Sequence, residues 1–290
     1  MSAKEIPIGC GEWGFRDLPM RQHFEIARQL GFHWLEFGIG GDYKGRLNRR
    51  STDADIEGFL DLLDEFEINC PCCALENDFT LADPAAHDEM VARTLDQFNI
   101  AAMCRATHLR LHAGFTPASE VSEDVWARMI NAFHLCQEEA SRRGLTIAVE
   151  TISIGVPNAD GTSSPVAAVT SDRDCLQRLI AELPGEIGFN FDPGNIKPVH
   201  PDDPLCLLDI LKGHINYVHL KDWARLGEGW VPVAMGEGGL DYGPIFRELE
   251  YEGICLIEYE APFDTVHGIQ RSLSYLAHLQ DDYPDLQFVI

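Results

Sequence analysis

The chain has 290 residues, 45% of them apolar, and carries 22 Lys and Arg against 47 Asp and Glu, for a net charge of −25. That is enough apolar mass for one large core, and so acidic a surface repels phosphate backbones and anionic headgroups, which argues against nucleic-acid and membrane partners. Nine cysteines, several of them (Cys104, Cys136, Cys206, Cys255) inside apolar runs, fit free thiols in a reducing compartment; with no signal-peptide pattern or long apolar run, a cytoplasmic protein is expected.

Two periodicities alternate from end to end. EIPIGC (5–10) reads as a strand and 20–31 as a helix. HWLEFGI (33–39) is a second strand, followed by a loop over 40–54 and a helix over 54–67. INCPCCAL (68–75) reads as a buried strand whose cysteines lack a second Cys or His pair at zinc-finger spacing. A helix over 86–106, THLRLHAG (107–114) and a helix over 123–144 come next, the last opened by Ser122 and closed by Gly144 after two arginines. LTIAVET (145–151) leads into the longest insertion, 152–170, and a helix over 171–183. EIGFNFD (186–192), a helix over 201–213, INYVHLKD (215–222), a helix over 242–253, ICLIEYE (254–260) and a helix over 265–280 complete the chain. The strands are short and β-rich, and the helical stretches repeat apolar residues at three- and four-residue spacing.

Eight strand–helix units in strict alternation predict parallel strands joined by right-handed crossovers. Their number and the chain length predict a single-domain (β/α)₈ TIM barrel over 1–290. A doubly wound open sheet is the alternative, but no GxGxxG follows the first strand. The insertions after the second and fifth strands are expected to overhang the C-terminal face, where this fold builds its active sites.

In a closed barrel the last inward residue of each strand sits at the rim. The fifth strand ends on Glu150 and the sixth on Asp192; the seventh aligns His219 with Lys221, and the eighth aligns Glu258 with Glu260. Carboxylates converging on a barrel axis repel unless a cation sits among them. Three carboxylates and one imidazole form a mostly hard-oxygen set, which suits Mn²⁺, Mg²⁺ or Co²⁺ better than Zn²⁺.

IAVET, NFDPGN, YVHLKD, GEGGLDYGPIF and LIEYE, in this order and spacing, resemble the sugar phosphate isomerase/epimerase family, the xylose isomerase-like TIM barrels. The resemblance implies a divalent metal, foremost Mn²⁺, held by Glu150, Asp192, His219 and Glu258. It also implies that Glu150 and Glu258 move protons on opposite sides of a small carbohydrate substrate. In the ketose 3-epimerases of this superfamily a histidine often stands three residues after the sixth-strand aspartate; here that place is Asn195. Lys221, His112 and Asn195 are read as substrate contacts, Glu36 as a polar wall of the pocket, and Trp13 and Trp223 as apolar walls beside a sugar ring. Arg110, in line with His112, has a barrel acid as its alternative partner. His200 and Glu237 are weaker candidates, and Asp241 is expected to cap a helix.

The reading is therefore a metal-dependent isomerase or epimerase of a polyhydroxy ketone or aldehyde, without phosphate because no Gly-rich cradle follows the last strands. Dehydration of a cyclic polyol ketone, such as an inosose or a dehydroshikimate-like compound, is the first alternative, and a non-catalytic sugar-binding barrel is the second. An endonuclease of the same barrel type would need more metal ligands and a basic groove. A homodimer is a further expectation.

Overall fold

The structure is a computed structural model that describes residues 3–261 and 263–290. Eight parallel strands close into a barrel: β1 (Lys4–Cys10), β2 (Trp34–Ile39), β3 (Asn69–Leu75), β4 (His108–Leu111), β5 (Thr146–Glu150), β8 (Gly188–Phe191), β9 (Ile215–Leu220) and β12 (Cys255–Ile257). β12 returns to β1 in register Ile8↔Cys255 to Cys10↔Ile257 and closes the ring. The TIM barrel read from the alternation is thus the observed fold. Among the described residues no helix is long and apolar enough to cross a membrane.

The helices that surround the barrel begin where local chemistry supplies caps. Thr52 and Asp55 form a capping box on α2 (Asp53–Phe66). Asp83 caps α3 (Pro84–Met103), with Pro84 in its first turn. Ser122 caps α4 (Glu123–Arg143), and Gly144 closes it in the left-handed conformation at φ 69°. Helix α1 (Met20–Gln29) precedes these, and α5 (Arg173–Glu182), α8 (Tyr242–Glu248) and α9 (Thr265–Asp282) complete the ring. Asp241 caps α8 as expected, accepting from the Gly243 amide.

Four departures from the sequence reading shape the C-terminal face and the closure. The insertion after β5 is a hairpin, β6 (Ser153–Pro157) and β7 (Ser163–Ala167). A second hairpin, β10 (Asp222–Leu226) and β11 (Gly229–Val233), follows β9, and the two join through Trp230↔Ser163 into a four-stranded sheet. Between β8 and β9, the helix expected over 201–213 shrinks to α7 (Leu208–Leu211), preceded by the single turn α6 (Pro193–Ile196); Pro201 and Pro204 keep the residues before them out of helical geometry. Finally, β13 (Leu286–Val289) pairs with the first half of β1, an element absent from the sequence reading.

Candidate metal centre and its pocket

Inside the barrel, Cys72, Ala148, Tyr217 and Leu256 form a small apolar cluster separate from the main core. Two residues further along β5 and β9, and just past the end of β12, the same inward face carries Glu150, His219 and Glu258. The pleat therefore sets these three side chains one step above an apolar floor. Asp192 arrives differently: it directly follows the sixth barrel strand and caps α6, with Oδ1 accepting from the Asn195 amide at 3.0 Å. A side chain on Gly194 would collide with the Lys221 backbone, so the turn behind Asp192 needs glycine for close approach.

One potential ligand atom from each of Glu150, Asp192, His219 and Glu258 lies within 4.8 Å of the others, and all four residues are buried. His219 Nδ1 faces Glu150 Oε1 at 3.1 Å and Glu258 Oε2 at 3.7 Å. On the other side of the ring, Nε2 lies 3.0 Å from Glu36 Oε1. Lys221 Nζ sits 2.5 Å from Glu258 Oε2, 2.7 Å from Glu260 Oε1 and 3.4 Å from Asp192 Oδ2. Asn195 spends its amide on the same cluster, donating to Asp192 Oδ2 at 3.0 Å and accepting from Lys221 Nζ at 3.1 Å.

The electrostatics match a site built for a cation. Burial pushes Asp192 up to about 7; Lys221 opposes this, and Glu150 and Glu258 reinforce it. Burial also works against charge on Glu150, but Arg110 and His219 hold its carboxyl well below the usual range. Arg110 Nε stands 3.3 Å from Glu150 Oε2. Burial likewise disfavours a charged His219, yet Glu258, Glu36 and Glu150 raise its pKa well above that of ordinary imidazole. Burial and the neighbouring Arg110 lower His112 to about 3, so its ring is neutral at physiological pH. The donor set fits a divalent metal: hard carboxylate oxygens and one ring nitrogen converge, and a cation among them offsets the burial and the crowding that together raise Asp192.

Above the cluster opens a cavity of about 250 Å³. Of the sequence candidates, Trp13, His112, Glu150, Asn195, Lys221 and Glu258 line it. Glu36 does not, which corrects its reading as a pocket wall: it is fully buried beneath the cluster and bonded to His219. Trp223 is also not on the wall; it lies in β10 opposite Pro232. Asp192 and His219 lie below the cavity lining. His200 is structural, its Nε2 2.7 Å from the Ser171 carbonyl, and Glu237 pairs with Arg271 at 2.8 Å.

Sequence reasoning missed Arg46, Glu76, Phe115 and Ser153 on the wall. Arg46 is locked to Glu12 by a buried bidentate pair and stacks over Trp13 with its guanidinium carbon 5.0 Å from the ring centre. Glu12, one residue before Trp13, was the available signal, because a buried acid there requires a cation.

A family model described as xylose isomerase-like TIM barrel matches residues 24–279. Among solved structures, an L-ribulose 3-epimerase superposes with a TM-score of 0.73 at 14% identity, covering 98% of this chain and 96% of that one. A xylose isomerase-like TIM barrel protein from Mycobacterium smegmatis in complex with magnesium does so with a TM-score of 0.71 at 17% identity, covering 99% and 100%. A probable 3-DHS dehydratase from Bacillus anthracis gives 0.71 at 14% identity, covering 94% and 99%. At such identities the likeness is one of fold. No curated protein matches the sequence.

Proposed function

This chain belongs to the xylose isomerase-like TIM barrel family, and on that premise we propose that it is a divalent-metal-dependent isomerase or epimerase of a small, unphosphorylated polyhydroxy ketone or aldehyde. The observation that carries the proposal is the buried convergence of Glu150, Asp192, His219 and Glu258 within 4.8 Å. These four residues would hold the metal, Mn²⁺ or Mg²⁺ by the hardness of the donors. When bound there, such an ion polarises a carbonyl and its neighbouring hydroxyl and makes the C–H between them acidic.

The chain's own residues supply the rest. Glu150 and Glu258 come from strands on different sides of the ring, so one carboxylate removes the proton and the other returns it. Arg110 keeps Glu150 ionised, so that its carboxylate is free to accept a proton. Lys221, on the wall, offers an ammonium to a substrate hydroxyl or to charge that develops on oxygen. Trp13 and Phe115 give apolar faces to the carbon skeleton.

Pocket charge supports a neutral substrate. Among the described residues, each cation on the wall already has a carboxylate: Arg46 has Glu12, Arg110 has Glu150, and Lys221 has Glu258 and Glu260. A phosphate would have to displace one of these and then face Glu76, Glu150, Glu258 and Glu260. The cavity of about 250 Å³ suits a monosaccharide. Dehydration of a cyclic polyol ketone is the second reading, supported by the probable dehydratase among the structural relatives; it starts with the same proton abstraction.

The test is a screen of ketoses, aldoses and inososes in deuterated water with Mn²⁺ or Mg²⁺. The expected result is deuterium on a carbon next to the carbonyl of one compound, with retained mass for isomerisation or loss of water for dehydration. Absence of both bound metal and exchange would overturn the proposal.

A further inference from the structure

Glu36 does not touch the pocket, yet it is fully buried and tied to the centre from below. Its Oε1 lies 3.0 Å from His219 Nε2 and accepts from the Tyr217 hydroxyl at 2.6 Å. Its Oε2 accepts from the Glu12 backbone amide at 3.2 Å. An ionised carboxylate has only acceptors, so the contact with Nε2 requires the ring proton to sit on that nitrogen. The opposite nitrogen, Nδ1, faces Glu150 and Glu258, and it is the one whose lone pair a metal takes up on displacing any proton held there.

We propose that Glu36 is a positioning residue that fixes His219 as the Nε2–H tautomer and so turns Nδ1 toward the metal. The inference rests on the metal reading above. Tyr217 and Glu12 play a supporting part: between them they occupy both oxygens of Glu36 and leave its carboxylate one orientation. A carboxylate that receives the second ring N–H of a ligating histidine sets both tautomer and ring angle, and its loss typically costs about 10–100-fold in metal affinity.

The isosteric Glu36→Gln makes the proposal sharp. The Glu12 backbone N–H cannot reverse, so it draws the amide oxygen of glutamine to the Oε2 position. That leaves the amide NH₂ facing His219 and Tyr217. A hydroxyl can turn to accept. A neutral imidazole can accept only with its proton on Nδ1, where it donates to Glu150 Oε1 at 3.1 Å. The variant is thereby fully hydrogen-bonded, but it presents no lone pair to the metal.

Two measurements decide the matter. Calorimetric titration with Mn²⁺ should show affinity reduced by about 10–100-fold in Glu36→Gln. In metal-free protein with ¹⁵N-labelled histidine, titrated until the His219 ring holds a single proton, that proton should sit on Nε2 in the wild type and on Nδ1 in the variant. Tyr217→Phe, which removes one hydroxyl, guards against a folding failure; it should keep the Nε2 proton and lose a few-fold in affinity. The proposal is overturned if Glu36→Gln keeps wild-type affinity, or if its singly protonated His219 keeps the proton on Nε2. A wild type that takes up no divalent ion sinks the metal reading instead, and the ring-proton comparison in metal-free protein still judges the contact.

Discussion

The two ends of the barrel carry cavities of opposite character. At the N-terminal end, a cleft of about 420 Å³ lies between the end of α2, the start of β3 and the turn after α3. Its ionisable residues Asp64, Glu67 and Arg105 are exposed, and the Arg105–Asp64 pair, 3.6 Å apart, has side chains 62% and 74% accessible. At the C-terminal end the cavity is smaller, about 250 Å³, yet its floor packs Glu36, Asp192, Glu150, Glu258, His219, Arg110 and Lys221 out of water. Cavity size and buried charge therefore rank the two ends oppositely. What sets the C-terminal end apart is charge held in a dry place at a desolvation cost that only paired groups, or a bound cation, can offset.

The largest effect should come from the two glutamates. Glu150→Gln or Glu258→Gln is expected to lower turnover on the substrate found by deuterium exchange by about 10²–10⁴-fold, whereas Glu67→Gln in the lower cleft leaves it unchanged. Steady-state kinetics on the three variants would break the comparison if Glu67→Gln were the damaging change. Metal removal comes next. At a free metal concentration of roughly a thousand times Kd, binding to the folded state adds about 4 kcal/mol, so urea midpoints with and without chelator should differ clearly. Midpoints that coincide for the wild type would mean that the upper cluster tolerates its charges unaided.

A buried ionisable group without a partner gives a third case, and it separates burial from function. His23 on α1 stacks on Phe15 with ring centres 4.4 Å apart, and its Nε2 is buried with no hydrogen-bond partner. Burial lowers its pKa to about 4, against a small opposing pull from Glu36. Between that value and the ordinary imidazole value near 6.5 the unfolded chain binds the extra proton and the folded chain does not. Stability from this group is therefore full above about pH 6.5 and falls as the pH drops toward 4, by up to about 3 kcal/mol at one pKa unit per ~1.4 kcal/mol. His23→Leu should flatten that part of the profile of unfolding free energy against pH; an unchanged slope would mean that the ring finds a partner.

How much of this was legible follows the same physical line. Glu150, Asp192, His219 and Glu258 could be read because each stands at or near the inward end of a barrel strand, where the pleat can be counted from sequence. Glu36 also faces inward, but its depth could not be counted: the β2–β3 register shifts between Trp34 and Glu36, so position along the strand does not give height in the barrel. Trp223 was misplaced because the chain after Lys221 continues as a strand, with Leu226 opposite Gly229 across a Gly–Glu turn, and this hairpin carries the indole away from the pocket. Its signal in the sequence is the alternation on either side of LGEG. Arg46, Glu76 and Ser153 lie on or beside the mouth loops, where no period places a side chain.

The smallest predicted effect is also the most direct check on the comparison. The lower cleft is large, contains Cys70 and Cys104, and has an acid–base pair at its edge; by inventory alone it rivals the upper pocket. Its thiols are buried and held protonated, Cys104 with its pKa pushed up to about 12 by burial. Its charges are solvated, and exposed pairs contribute roughly 0–1 kcal/mol. Asp64→Asn and Arg105→Gln should therefore each change unfolding free energy by less than about 0.5 kcal/mol and leave both metal affinity and turnover unaltered. A loss of metal binding in either variant would mean that the two ends are coupled through the barrel interior, and that solvent exposure had been the wrong quantity to compare.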